Sequence, residues 1–158
     1  MKFENSVLIE QPIEKVFQYV TCLKNNAKWQ TDILELESTS DGRFGIGSTY
    51  RCVNRFMGKR LETEGVVTDY VPDKICSIQI TNGSVRGVNS FLFEVVDGGT
   101  KVTAVGKLDM GYFKLAKILV NRKVNHQLKK DMLKLKRVLE TGNKSQETAG
   151  LDLSSEVE

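Results

Sequence analysis

A chain of 158 residues, 40% hydrophobic and 27% charged, suits one globular domain built around one core. One histidine and three widely separated cysteines, Cys22, Cys52 and Cys76, argue against a Cys/His zinc site and against a disulfide framework. The net charge is only +3, yet residues 112–140 carry nine Lys or Arg against Asp131 and Glu140, while the rest is slightly acidic.

No run approaches the ~18 apolar residues of a membrane span. The start, Met1-Lys2-Phe3-Glu4-Asn5, lacks the apolar stretch of a signal peptide. The expectation is a reduced, cytoplasmic protein without metal or cofactor.

Residues 2–10 read as a strand, with Phe3, Val7 and Ile9 in one phase. Pro12 opens a short helix, a favoured first-turn position for proline. Ile13, Val16, Phe17 and Val20 form its apolar face. A second short helix covers Leu23 to Trp29, and Leu34 and Leu36 mark the next strand. Gly42, Gly45 and Gly47 punctuate the turn after it. Over residues 48–58, Tyr50, Cys52, Asn54 and Phe56 alternate with Thr49, Arg51, Val53 and Arg55. Two arginines on the second face predict that it meets water and that the first faces in.

Met57-Gly58-Lys59 is read as a hairpin turn. The returning strand places Leu61, Thr63, Gly65 and Val67 inward, with Gly65 leaving room. Pro72-Asp73 turns the chain again. Ile75 to Thr81 is the next strand, followed by a turn at Asn82-Gly83. Residues 85–96 carry Phe91, Phe93 and Val95 in one phase. Asp97-Gly98-Gly99 is a hairpin signal, and Lys101 to Met110 is the last strand.

Tyr112 to Glu140 then runs 29 positions without Pro or Gly. Phe113, Ala116, Val120, Val124, Leu128, Leu135 and Val138 recur at helical spacing. A helix of that length is roughly 40 Å long, enough to cross a small domain. One such helix after a run of six strands predicts an antiparallel sheet curled around it, with a space between. Residues 141–158 hold many Ser, Glu and Asp and few large apolar residues, and are expected to form a disordered acidic tail. The domain is thus placed at 1–140.

Four local patterns resemble the START-related helix-grip superfamily, also called SRPBCC, in its bacterial polyketide cyclase/dehydrase-like branch. Ile9-Glu10-Gln11-Pro12-Ile13-Glu14-Lys15-Val16-Phe17 looks like the strand-to-helix entry, with Gln11 where the family usually has Ala. Trp29 sits where the family commonly closes its second short helix. Gly45-Ile46-Gly47-Ser48-Thr49 resembles the turn into the third strand. Phe93-Glu94-Val95-Val96-Asp97-Gly98-Gly99-Thr100-Lys101-Val102 resembles the hairpin before the last strand. The likeness runs from Val7 to Glu140. It implies an α+β helix-grip fold: a curved antiparallel sheet of about seven strands around a C-terminal helix, in the order β-α-α-β6-α. It also implies a cavity that holds an apolar ligand. The superfamily includes lipid and sterol carriers, hormone receptors, polyketide cyclases, ubiquinone-binding chaperones and small hydrolases, so fold alone does not settle chemistry.

Gly45-Ile46-Gly47 lacks a third glycine and precedes a strand, which favours a turn over a phosphate site. His126, at about 240° around the helix from Val120, falls opposite the apolar stripe and is expected in solvent, which weakens any Ser-His-Asp or Cys-His scheme. Gln127 and Asp131 fall within the stripe, near −20° and 20°. Either they project into the cavity and bind a ligand's polar end, or Asp131 pairs with Lys134 or a strand residue, or it lies past the sheet's edge. Asn54 either bonds a ligand or caps a backbone group. Trp29, Tyr50, Phe56, Phe91 and Phe93 are read as the apolar wall, with Cys52 and Cys76 as small hydrophobes. The predicted cavity therefore comprises Trp29, Tyr50, Cys52, Asn54, Phe56, Thr63, Phe91, Phe93, Val124, Gln127, Leu128 and Asp131.

Three functions follow. The first is a carrier or sensor that binds a small lipid, polyketide-like or aromatic molecule. The second is a cyclase- or dehydratase-type enzyme with Asp131 as general base. The third is an accessory protein that docks an anionic membrane or partner through Lys114, Arg122, Lys123, Lys129, Lys130, Lys136 and Arg137. Nucleic acid is not an expected partner, because basic and aromatic residues do not interleave. The sequence leaves the oligomeric state open.

Overall fold

The computed structural model describes residues 1–83 and 85–154, with 112–114 and 142–154 described in their backbone only. The chain order is β1 (Lys2–Ile9), α1 (Ile13–Thr21), α2 (Leu23–Trp29), β2 (Ile33–Ser38), β3 (Thr49–Phe56), β4 (Lys59–Val71), β5 (Ile75–Gly83), β6 (Arg86–Val96), β7 (Gly99–Asp109), a 3₁₀ turn (Gly111–Ala116) and α3 (Lys117–Ser154). The strands form one antiparallel sheet in the order β1-β7-β6-β5-β4-β3-β2. It curls into a half-barrel with the long helix, the expected α+β helix-grip fold.

The strand periodicity does what a period of two requires. Phe3, Val7 and Ile9 are buried along β1, and Leu61, Thr63 and Val67 along β4. The β3–β4 turn has positive φ at both central residues, Met57 (48°) and Gly58 (77°), the sign that matches the twist of a tight hairpin. The core joins Val7 and Ile9 of β1, Val16, Phe17 and Val20 of α1, Phe91 and Phe93 of β6, and Met132, Leu135 and Leu139 of α3.

Gln11 ties these parts together. Its Nε2 donates to the Leu139 carbonyl (3.0 Å), while its own backbone carbonyl accepts from Thr100 Oγ1 (2.8 Å). Lys136 Nζ donates to the Leu8 carbonyl (2.6 Å) and pairs with Glu140 (2.7 Å), which in turn accepts from the Glu10 amide (3.0 Å). An Ala at position 11 would forgo the first of these clamps. Lys136 is therefore fastened to β1 and is not part of a free basic face.

Four details differ from the sequence reading. Val53, expected to face water, is fully buried. Glu35 of β2 and Glu62 of β4 both lie opposite it in register. Arg60 reaches from β4 to Glu35 (3.0 Å), and Arg51 binds Glu35 (2.9 Å) and Glu62 (2.6 Å). This lattice crosses the middle strand and roofs the valine with side-chain stems. Its hydrogen bonds from Arg51 hold Glu35 and Glu62 below the usual carboxylate range. Val95 shares a phase with Phe91 and Phe93 but is 71% exposed, although Thr100, its partner in register, is fully buried.

The terminal helix starts later than expected: residues 111–116 form a 3₁₀ turn without a side-chain cap, a common way for an uncapped helix to begin. The helix also carries on past Glu140 to Ser154, where the sequence reading begins its tail. The side chains of Phe113 and Lys114, and all of 155–158, lie outside the described residues.

Glycines make room for rings at two registered cross-strand pairs, Tyr50 with Gly65 and Phe3 with Gly106. A Cβ on Gly65 would sit 2.6 Å from Tyr50 Cε1, and one on Gly106 would sit 2.8 Å from Phe3 Cε1. The room that Gly65 leaves is thus filled by the Tyr50 ring. Gly65→Ala is expected to cost about 1–3 kcal/mol through overpacking of a buried ring, measured as a lower midpoint in urea unfolding.

Candidate ligand cavity

The inner face of α3 carries two stripes of the same 4-3-4 spacing, turned about 80° from one another. Leu128, Met132, Leu135 and Leu139 form one. Met132, Leu135 and Leu139 are buried, and Leu128 packs against the core beside them. Val120, Val124, Gln127 and Asp131 form the other, of which Val120 alone is fully buried. The first stripe closes the core. The second stands over a space between the helix and the sheet.

That space is a cavity of ≈ 250 Å³, close to the lower end of the ~300–1,000 Å³ of ligand clefts. Val124, Gln127, Leu128 and Asp131 form its helical side. Asn54 and Phe56 of β3, Leu61 and Thr63 of β4, Ile80 of β5 and Asn89 of β6 form its floor. Phe3, Val85, Leu108 and Met110 close one end, and Gln30, Asp32, Ile33 and Arg55 the other.

Of the residues named from sequence, Asn54, Phe56, Thr63, Val124, Gln127, Leu128 and Asp131 line this cavity. The other five are packed elsewhere. Trp29 is 1% exposed and meets Phe91 edge to face at 5.9 Å, and Phe93 meets Phe17 in the same way at 5.0 Å. Tyr50 and Cys52 are buried under the sheet. Burial pushes the Cys52 and Cys76 thiols up to about 11, as for small hydrophobes.

Asp131 pairs with neither Lys134 nor a strand. Its Oδ1 accepts from the Thr31 amide (3.2 Å), Thr31 Oγ1 (2.8 Å) and Gln127 Nε2 (2.8 Å). It thereby pins the segment between α2 and β2 to the helix. Its Oδ2 has no donor among the described residues. Burial raises the carboxyl above the usual aspartate range, against the pull of the Thr31 and Gln127 hydrogen bonds. The folded protein then holds this proton more tightly than the unfolded chain, so stability falls as pH rises from ~4 through the raised value. Asp131→Asn keeps an acceptor for Thr31. It is expected to flatten that loss and raise the melting temperature at neutral pH, as read from thermal unfolding between pH 4 and 8.

Asn54 Oδ1 accepts a weak hydrogen bond from Cys52 Sγ (3.4 Å), and its amide nitrogen has no acceptor among the described residues. Asn89 was not identified from sequence. Its Oδ1 is buried and without a partner among the described residues, an expense native proteins seldom leave unexplained. The signal was a polar residue in phase with Phe91 and Phe93 on an inward strand face. His126 is exposed on the far side of the helix, as its angle predicts. Among the described residues no group of three His, Cys, Asp or Glu is placed to hold a metal ion, and no helix is long and apolar enough to cross a membrane.

The profile of the family described as polyketide cyclase / dehydrase and lipid transport matches residues 1–140, ending one residue past Leu139, which is buried against the core. No curated protein matches the sequence. Among solved structures, TTHA0849 from Thermus thermophilus superposes with a TM-score of 0.78 at 16% identity, over 90% of this chain and 99% of that one. The Ara h 8.0201 structure gives 0.66 at 16%, over 88% and 97%. The Aha1 dimer from Colwellia psychrerythraea gives 0.59 at 23%, over 90% and 98%. At these identities the likeness is one of fold.

Proposed function

Because this chain belongs to the polyketide cyclase / dehydrase and lipid transport family, we propose that it binds a small hydrophobic molecule between sheet and helix, as a carrier or sensor. The observation that carries this reading is the second stripe of α3, set over a cavity instead of a packed core. Affinity comes from apolar burial, at about 25 cal/mol per Å² before ordering costs. Orientation comes from Asn54, Thr63, Asn89, Gln127 and Asp131. Native mass spectrometry of freshly purified protein, followed by organic extraction, tests it. A stoichiometric apolar molecule lost in Asn54→Leu or Gln127→Leu supports the reading. An empty protein that also takes up no fluorescent lipid or aromatic probe sinks it.

The enzymatic alternative also draws on Asp131. Its support is the raised proton affinity of that carboxyl. One of its oxygens, however, is committed to Thr31 and Gln127, and this commitment favours binding over proton transfer.

A second observation bears on how a ligand would reach the cavity. Leu115, Ile118 and Leu119 are 106%, 76% and 50% exposed, at the start of the helix and beside the exposed Lys117, Arg122 and Lys123. The charge of that tip suits an anionic bilayer and repels a second copy of itself. Sedimentation with vesicles of phosphatidylcholine and phosphatidylglycerol reads this out: binding that Leu115→Ser with Ile118→Ser leaves intact would overturn it.

A further inference from the structure

One oxygen of the cavity wall is left over. Asp131 Oδ1 takes three donors, the Thr31 amide, Thr31 Oγ1 and Gln127 Nε2. Oδ2 takes none among the described residues, yet it is not sealed off, and the side chain lines the cavity. The carboxylate also lacks a counterion. Asp131 forms no salt bridge among the described residues, and Lys134, one turn along the helix, does not reach it.

The charged residues that border the cavity are Asp32, Arg55 and Asp131. Arg55 belongs to the outer face. It shares the phase of Arg51, whose guanidinium lies in the outer lattice, so alternation turns its side chain away. It is exposed, and its amide donates to the Asp32 carbonyl (2.9 Å). Asp32 is in no salt bridge either. The proton affinity of Asp131 is raised by burial first and, to a smaller degree, by the Asp32 carboxylate. Among the described residues, then, no cation points into a cavity bordered by two carboxylates. The donors on the sheet side, the Asn54 amide and the Thr63 hydroxyl, are neutral. A further acceptor, Asn89 Oδ1, is buried in the floor without a donor among the described residues.

We infer that the ligand's polar end is a hydrogen-bond donor, an ammonium or a hydroxyl, received by Asp131 Oδ2, and that the cavity rejects carboxylates. This rests on the binding reading above and adds the class of the head group and its place. An anion there would meet two uncompensated carboxylates. A donor instead completes a charge-assisted hydrogen bond, worth at least about tenfold in affinity. The protein's net charge of +3 favours an anion at long range, so a preference against the carboxylate has to arise at the site.

The test is calorimetric titration with octylamine, 1-octanol and octanoate near pH 8, on the wild type and on Asp131→Asn. At that pH the amine is protonated and the acid ionised. In the variant, the three donors on the retained oxygen orient the new amide so that its nitrogen replaces Oδ2. The site turns from acceptor to donor. In the wild type, octanoate is expected to bind about tenfold more weakly than the better of the two donors. The tighter of octylamine and octanol names the head group as ammonium or hydroxyl. In Asp131→Asn the preference over octanoate vanishes or reverses. Octanoate binding the wild type as tightly as either donor would overturn the proposal and leave the cavity reading standing, whether or not the variant folds. A preference undiminished in a variant that is folded by circular dichroism would place the head group elsewhere and overturn it too. Failure of all three probes to bind the wild type would overturn the cavity reading, and this proposal with it.

Discussion

Leu128→Trp is expected to abolish uptake of hydrophobic probes while leaving the protein folded. Leu128 is half-buried, packs against the core on one side and lines the cavity on the other. An indole there projects into a space of ≈ 250 Å³ and takes up a large part of it. A bulkier ring in a packed core costs about 1–3 kcal/mol, but here the adjoining space receives the added atoms, so the cost should fall at the low end. Affinity for a fluorescent apolar probe should drop at least ~30-fold, since a filled site has no apolar surface left to offer. Circular dichroism and the unfolding midpoint show whether the fold persists. Unchanged affinity in a folded variant would mean that probes bind somewhere else.

Trp29→Ala should have the largest effect on stability. The ring is 1% exposed and packs edge to face on Phe91, at the point where α2 meets the core. Large aromatic truncations in cores cost about 3–5 kcal/mol. In a chain of this length that corresponds to a melting temperature lower by about 10–15 °C. Trp29 Nε1 has no hydrogen-bond partner among the described residues, so Trp29→Phe should cost much less than the alanine change. If the two variants were equally damaging, the loss would lie in the part of the indole that a phenyl ring does not fill, and the edge-to-face contact with Phe91 would contribute little.

Much of the fold was legible because its periodicities are local. Alternation in β3 and β4 follows from two faces with different solvents, and the Met57-Gly58 turn fixes their register. What escaped the sequence depends on partners far along the chain. Val53 reads as a water-facing position, and only the arginines and glutamates of three strands together cover it. The helix stripe reads as one band. Its division into a packing row with Met132 and Leu139 and a cavity row with Gln127 and Asp131 needs the sheet to be present. Trp29, Phe91 and Phe93 read equally well as core or as cavity wall, because an apolar ring suits both. Asn89 sits in an apolar phase, where alternation alone does not separate a satisfied core amide from one that faces a cavity.

The pairing of β1 with β7 carries a consequence for how the chain is made. Phe3 lies opposite Gly106 and Ile9 opposite Thr100, so among the described residues the first strand finds its one sheet partner about a hundred residues downstream. At translation rates of about 5–20 residues per second, it waits roughly 5–20 s before that partner exists. Loop closure of this span must precede its reward, which places refolding in the slow range of about milliseconds to seconds. Until then Phe3, Val7 and Ile9 form an apolar edge without a mate, and the nascent chain is most exposed to aggregation in that interval.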